Sequence, residues 1–241
     1  MICGLAVLVE LLKINKFEQN ISVPEKFAEL KTGEYNTDIP NEKGVLIMSE
    51  TAKKRQNLYR IVAVGLMAAL VYIGNFMQIK FANDARVHLG NSMCLLAGLL
   101  FGGLNGGLAS GIGGALYDLF DPVYITSAPY TFFSKFCMGF VAGKMNRTGM
   151  KNEFARTLIA AVCGQVTYIV LYLGKNFVEQ LILGNPMETA MGVMATKAVT
   201  SCINGGLAVV ISIPLYFAIR KALRATGFGM LVDNKRAEAS E

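Results

Sequence analysis

Five stretches of this chain are almost empty of charge. Residues 61–79, 89–117, 157–174 and 198–219 contain no charged side chain, and 122–143 contains only Lys135. A helix needs about 20 apolar residues to cross the hydrocarbon core of a bilayer. By that measure the stretch 89–117 is long for one helix and short for two. Basic residues arbitrate, because they accumulate in cytoplasmic loops. They cluster as Lys53, Lys54, Arg55 and Arg60, then Lys144, Arg147, Lys151 and Arg156, then Arg220, Lys221 and Arg224. An even number of spans must separate consecutive clusters, so 89–117 is divided in two. The pattern therefore predicts helices at 58–80, 88–101, 104–120, 122–143, 154–178 and 190–222. The fold class that follows is all-α, a polytopic six-transmembrane-helix bundle with both termini cytoplasmic.

Composition supports this class. The chain is 53% hydrophobic and 17% charged, whereas an ordinary soluble domain is about 25% charged. Disorder, collagen and coiled coil are excluded. Five cysteines in 241 residues, with no C-x-x-C pair, do not make a disulfide scaffold. Cys94, Cys137, Cys163 and Cys202 lie in apolar runs and read as packing. Glycine explains how two short helices fit side by side. Gly98, Gly102 and Gly106 are four apart, as are Gly103, Gly107 and Gly111, and Ala109 pairs with Gly113. Such spacing lines one helix face with small residues and lets backbones approach closely.

The first 47 residues depart from the pattern. Residues 1–12 are apolar but short for a span, with no basic residue ahead of them, and so fit a signal peptide poorly. Residues 13–47 are polar and lack an amphipathic period. The segment reads as a disordered extension or as an upstream reading of the frame, with Met48 the start of the 48–226 membrane domain. Lys43-Gly44-Val45 can be encoded by a purine-rich ribosome-binding sequence ahead of Met48. Residues 227–241 form a polar tail on the cytoplasmic side.

Chemistry must come from the polar residues left inside the spans, which are costly there and face a cavity or another helix. Helix five presents Gln165, Tyr168, Tyr172 and Asn176, spaced as one helical face. Helix six presents Lys197, Ser201 and Asn204, with Thr200 beside them, and helix four presents Tyr130, Thr131, Ser134 and Lys135. In the deduced topology all three stripes fall in the outer half of the membrane. The inner halves are almost purely apolar, so a cavity open outward and closed inward is expected.

A lysine at mid-helix costs about 2.5–3.5 kcal/mol. Lys197 is near enough to the interface to snorkel, while Lys135 has either a ligand role or a structural pair with Asp118. A ligand role for either lysine favours an anionic or carboxylate-bearing ligand whose ring stacks on the tyrosines. His88, the only histidine, stands near the cavity mouth with Asn91 one turn on. With no second ligand at suitable spacing it is no metal site, and a ligand or gate contact is the better reading. Ser110 has no histidine beside it to act as a base. Gly139 to Met145 is one residue too short for a phosphate loop and has Met145 where a hydroxyl must reach magnesium. Gly111-Ile112-Gly113-Gly114 follows no strand. Neither an enzyme nor an ATPase is indicated, and no cofactor.

The runs Val87-His88-Leu89-Gly90-Asn91, Leu95-Leu96-Ala97-Gly98-Leu99-Leu100-Phe101-Gly102, Gly107-Leu108-Ala109-Ser110-Gly111-Ile112-Gly113, Ala128-Pro129-Tyr130-Thr131 and Lys135-Phe136-Cys137-Met138-Gly139 carry a likeness in their order and spacing. Over about residues 58–225 the chain resembles the substrate-binding S component of energy-coupling factor (ECF) transporters. The resemblance implies six helices in a bacterial plasma membrane and high-affinity capture of a water-soluble vitamin or related micronutrient from outside. It implies a ligand between the outer parts of helices four to six, under the loop joining helices one and two. The implied partners are a transmembrane coupling subunit and two ATPase subunits, with no nucleic acid. Tilting of the S component during transport is also implied, with a small-residue patch of helix one offered to the coupling subunit. Gly65 and Ala69 match that spacing, with glycine where relatives commonly carry alanine. Riboflavin, thiamine precursors, folate, pantothenate and pyridoxine are all served by this architecture, and no residue pattern selects among them.

The competing class is a stand-alone secondary carrier for a small anionic metabolite. A proton-coupled carrier needs a buried carboxylate, yet Asp118, Asp121, Glu179 and Glu188 all lie near the outer ends of the predicted spans.

Overall fold

The computed structural model describes residues 42–80 and 86–226. The extension expected at 1–47 lies outside the described residues except for its last six, and the tail at 227–241 lies outside them entirely. Six helices follow in order: α1 (Glu42–Phe76), α2 (Gly90–Phe101), α3 (Gly103–Leu119), α4 (Ala128–Met145), α5 (Glu153–Ile182) and α6 (Met187–Ala225). The chain divides at Asn57 into two units, and the fold described below belongs to the second, which begins at Leu58. What is described of the first unit is helical.

Three of the helical stretches are long and apolar enough to cross a membrane: Asn57–Phe76, Glu153–Ile182 and Met187–Ala225. At about 1.5 Å per residue, α5 and α6 exceed the roughly 30 Å hydrocarbon core, so their ends project beyond it. By contrast α2 has 12 residues and α3 has 17, and neither reaches a full span at that rise. They are joined at Gly102, whose φ of 81° is open to glycine and strained for other residues.

The helices were expected at nearly these places, with three differences, the first being that α1 begins at Glu42 and not near residue 58. The first helix ends at Phe76 rather than near residue 80, because Gln78–Lys80 and Arg86–His88 form the antiparallel strands β1 and β2, with Ile79 opposite Val87. Both strands read polar-apolar-polar, the period of an extended chain. His88 accordingly ends a strand, and α2 starts two residues later. The fourth helix begins at Ala128, after a single 3-10 turn at Ile125–Ser127, with a proline in its first turn, where the missing N–H costs nothing.

The short α2 sits at the centre of the core. Cys94, Leu95, Leu96, Ala97, Leu99 and Leu100 are all buried, and α3, α4, α5 and α6 pack around them. The glycine rows make this possible. A Cβ on Gly106 would meet the Ala97 carbonyl oxygen at 2.6 Å, and one on Gly139 would meet Ser110 Oγ at 2.6 Å and the Gly106 carbonyl oxygen at 2.7 Å. Gly111, Gly107 and Gly103 lie in turn beneath Phe132, Phe136 and Phe140. Those three rings stack in a row at 6.1 and 5.8 Å. Dispersion and shape, rather than water exclusion, hold such an interface in lipid. Ser110 Oγ donates to the Gly106 carbonyl at 2.7 Å and to the Cys94 carbonyl at 3.1 Å, which satisfies the hydroxyl within the core.

Candidate functional site

Seven side chains line one cavity: His88 from β2, Tyr168 and Tyr172 from α5, and Lys197, Thr200, Ser201 and Asn204 from α6. The α5 residues are four apart and the α6 residues fall at spacings of three and four, so each set forms one helical face. The tyrosine rings stack on each other at 5.8 Å and 16°. Lys197 Nζ donates to Asn176 Oδ1, and Asn176 Nδ2 donates to the Tyr172 carbonyl at 2.7 Å. The backbone N–H of His88 donates to Asn204 Oδ1 at 2.9 Å. The cavity's volume is about 40 Å³, room for a few water molecules and far below the 300–1,000 Å³ of a typical ligand pocket.

The residues expected from sequence to contact ligand are His88, Asn91, Asp118, Tyr130, Thr131, Lys135, Gln165, Tyr168, Tyr172, Asn176, Lys197 and Asn204, and five of these twelve line this cavity: His88, Tyr168, Tyr172, Lys197 and Asn204. Asn176 braces Lys197. Gln165 and Asn91 are buried and are not among the lining residues. Thr200 and Ser201 belong to the predicted α6 stripe and join the lining, although only Lys197 and Asn204 of that stripe were expected as contacts.

The α4 residues are placed elsewhere. Lys135 is 4% exposed, its Nζ donates to Asn75 Oδ1 at 2.8 Å, and its stem lies against Gly114. Asn75 in turn donates to the Val71 carbonyl at 2.8 Å. Lys135 is thus built into the junction of α1, α3 and α4 and is not part of the cavity wall. Thr131 Oγ1 donates to Asp118 Oδ2, and Tyr130 donates its hydroxyl proton to the Leu171 carbonyl. Both contacts tie α4 to its neighbours. The expected pairing of Lys135 with Asp118 gives way to Asn75 and Thr131 as their respective partners in these two bonds. Asn75 was missed, and the signal available was an amide that, with Gln78, interrupts the uncharged stretch 61–79.

Some buried polar groups of α2 and α5 are incompletely bonded. Gln165 Nε2 and Oε1, Asn91 Oδ1 and Ser92 Oγ are buried with no hydrogen-bond partner among the described residues. Gln165 lies against Gly205, where a Cβ would meet its Cγ at 2.9 Å. Such groups usually find partners, so each asks for an explanation.

The small-residue pair of α1 faces away from the bundle. Gly65 and Ala69 are exposed, nothing lies within 4 Å of a Cβ built on Gly65, and Leu58, Ile61, Val62 and Ile73 are exposed around them. Among the described residues no group of three or more His, Cys, Asp or Glu could hold a metal ion.

A protein of Pyrococcus woesei, described as an uncharacterized protein in gap 3'region, is 31% identical to the chain over 97 residues. The match covers 40% of this chain and 63% of that protein. A family model described as ECF-type riboflavin transporter, S component, matches residues 55–221, which takes in the α5 and α6 stripes, the β hairpin and the glycine-packed core. Apolar helices enclosing a polar cavity fit a transport family rather than an enzyme family, and the chain belongs to the S components of ECF-type riboflavin transporters.

Proposed function

We propose that this protein is the vitamin-capture subunit of an ATP-driven ECF importer in a bacterial plasma membrane, and that its ligand is riboflavin or a close flavin relative. The observation that carries this reading is the convergence of Tyr168, Tyr172, Lys197, Thr200, Ser201, Asn204 and His88 on one cavity amid otherwise apolar helices. Polar side chains in a membrane-spanning segment are costly unless they serve a ligand or each other. Stacked tyrosines suit a flat heterocycle, and the hydroxyl and amide groups of α6 suit a polyol chain. The sequence favoured an anionic ligand on the strength of two lysines. Only Lys197 lines the cavity, so a neutral, polyol-bearing ring fits equally well.

In this reading all six helices cross the membrane, both termini are cytoplasmic, and the cavity opens outward beneath the hairpin of β1 and β2. Gln165 and Asn91 form its floor. Asp118, Tyr130, Thr131 and Lys135 hold the frame on which α5 stands. Gly65 and Ala69 offer a flat face to a transmembrane coupling subunit, which two ATPase subunits drive. The test is riboflavin uptake by cells expressing the chain with and without those subunits, alongside riboflavin binding by the purified protein. Binding with ATPase-dependent uptake is expected. Uptake that persists without the ATPases points to a stand-alone carrier, and absence of flavin binding overturns the ligand.

A further inference from the structure

Gln165 is 3% exposed, and both polar atoms of its carboxamide lack a hydrogen-bond partner among the described residues. Helical register places it about one turn along α5 from the cavity lining. It lies three residues before Tyr168 on α5, and it packs on Gly205, four residues after Ser201 on α6. The two residues above it both line the cavity. Gly205 makes the room: a Cβ there would meet Gln165 Cγ at 2.9 Å and Nε2 at 3.2 Å. A buried donor and acceptor, side by side and unsatisfied, are complementary to a ligand edge that presents an acceptor and a donor side by side.

We propose that the Gln165 carboxamide sets the specificity of the cavity by pairing its Nε2–H and Oε1 with the adjacent C=O and N–H of a lactam or imide edge. This rests on the flavin reading above, since the pyrimidinedione of a flavin carries such an edge at N3. The cavity is too small for a ring as it stands, so an entering ring displaces Tyr168 and uncovers the amide one turn below. The ring's apolar faces then lie between side chains, and its imide edge reaches the floor. A polar site of this kind rejects an analogue that lacks the matching group, because the buried amide is left unpaired a second time.

The experiment measures binding of riboflavin and of 3-methylriboflavin, in which the N3 proton is replaced, to the full chain in lipid nanodiscs. The natural protein should prefer riboflavin by on the order of a hundred-fold. In Gln165→Leu the riboflavin affinity should fall about ten- to a hundred-fold while 3-methylriboflavin changes by less than about three-fold, collapsing the preference. Gln165→Met keeps the length and nearly the volume but has neither the amide donor nor the amide acceptor, and should collapse the preference in the same way, which guards against a packing defect in the leucine variant. A preference that is the same in both variants as in the natural protein overturns the role of Gln165 and leaves the flavin reading standing. A natural protein that binds neither compound overturns both.

Discussion

The backbone N–H of His88 donates to Asn204 Oδ1 at 2.9 Å, joining the end of β2 to α6 across 116 positions of sequence. The bond ties the end of the hairpin to α6 at the cavity that His88 and Asn204 line together with Tyr168 and Tyr172. Asn204 is buried.

Asn204→Leu should therefore loosen the hairpin and remove a polar group from the wall at once. Riboflavin affinity is expected to fall about five- to thirty-fold, as for loss of a buried bond worth about 1–2 kcal/mol. Asn204→Asp keeps the acceptor oxygen and should lose less. Quenching of flavin fluorescence on titration measures both, and the chain's lack of tryptophan leaves the tyrosine signal to report the same event. Equal affinity in all three proteins would detach the hairpin from the site.

Lys135 and Tyr172 should separate cleanly in their effects. Lys135→Ala leaves Asn75 Oδ1 without its donor and opens a gap over Gly114, so the melting temperature should fall with a loss of about 2–4 kcal/mol. Ligand affinity of the folded fraction should hold. Tyr172→Ala removes one ring of the stacked pair, and should cost affinity by about ten-fold or more with little change in melting. Thermal melting and equilibrium binding on the same preparations decide it, and the reverse assignment would return Lys135 to the cavity.

Much of this arrangement was legible in the sequence. The uncharged stretches, the basic clusters between them and the turn at Gly102 pointed to six helices, with the bounds missed most widely at the start of α1, which begins at Glu42 and not near residue 58, because a bilayer demands length and apolarity that soluble chains rarely show. The α5 and α6 stripes were legible because period alone assigns residues to a face. Period does not say which neighbour that face meets. Lys135 and Thr131 share a face of α4, and only tertiary packing turns it toward α1 and α3 instead of toward the cavity. The β hairpin escaped for another reason: three residues per strand give too short an alternation to stand out at the end of a long apolar helix.

The glycines sort into two kinds with opposite expectations. Gly139 faces Ser110 Oγ and the Gly106 carbonyl at under 3 Å, so Gly139→Val forces α3 and α4 apart and should abolish the monodisperse protein on detergent size-exclusion. Gly206 and Gly192 have nothing within 4 Å of a built Cβ. Gly206→Ala should be neutral or slightly stabilising, by up to about 1 kcal/mol, since alanine loses less backbone freedom in a helix. A destabilised Gly206→Ala would show that this face is covered by something in the membrane.

Gly65 and Ala69 are exposed on a stretch of α1 rich in exposed aliphatic side chains. Neither approaches the cavity lining, which makes binding and coupling separable by mutation. Replacing both with tryptophan puts bulk on a face where close helix approach requires small residues. The double variant should bind riboflavin as the natural protein does, within about two-fold, because additivity holds for sites that share no partner. Uptake in cells that contain the coupling subunit and both ATPases should fall by more than about ten-fold, a loss of about 1.4 kcal/mol in the productive contact. Co-purification of the coupling subunit with the tagged chain supplies the physical readout. Full uptake by the double variant would move the coupling contact to another helix.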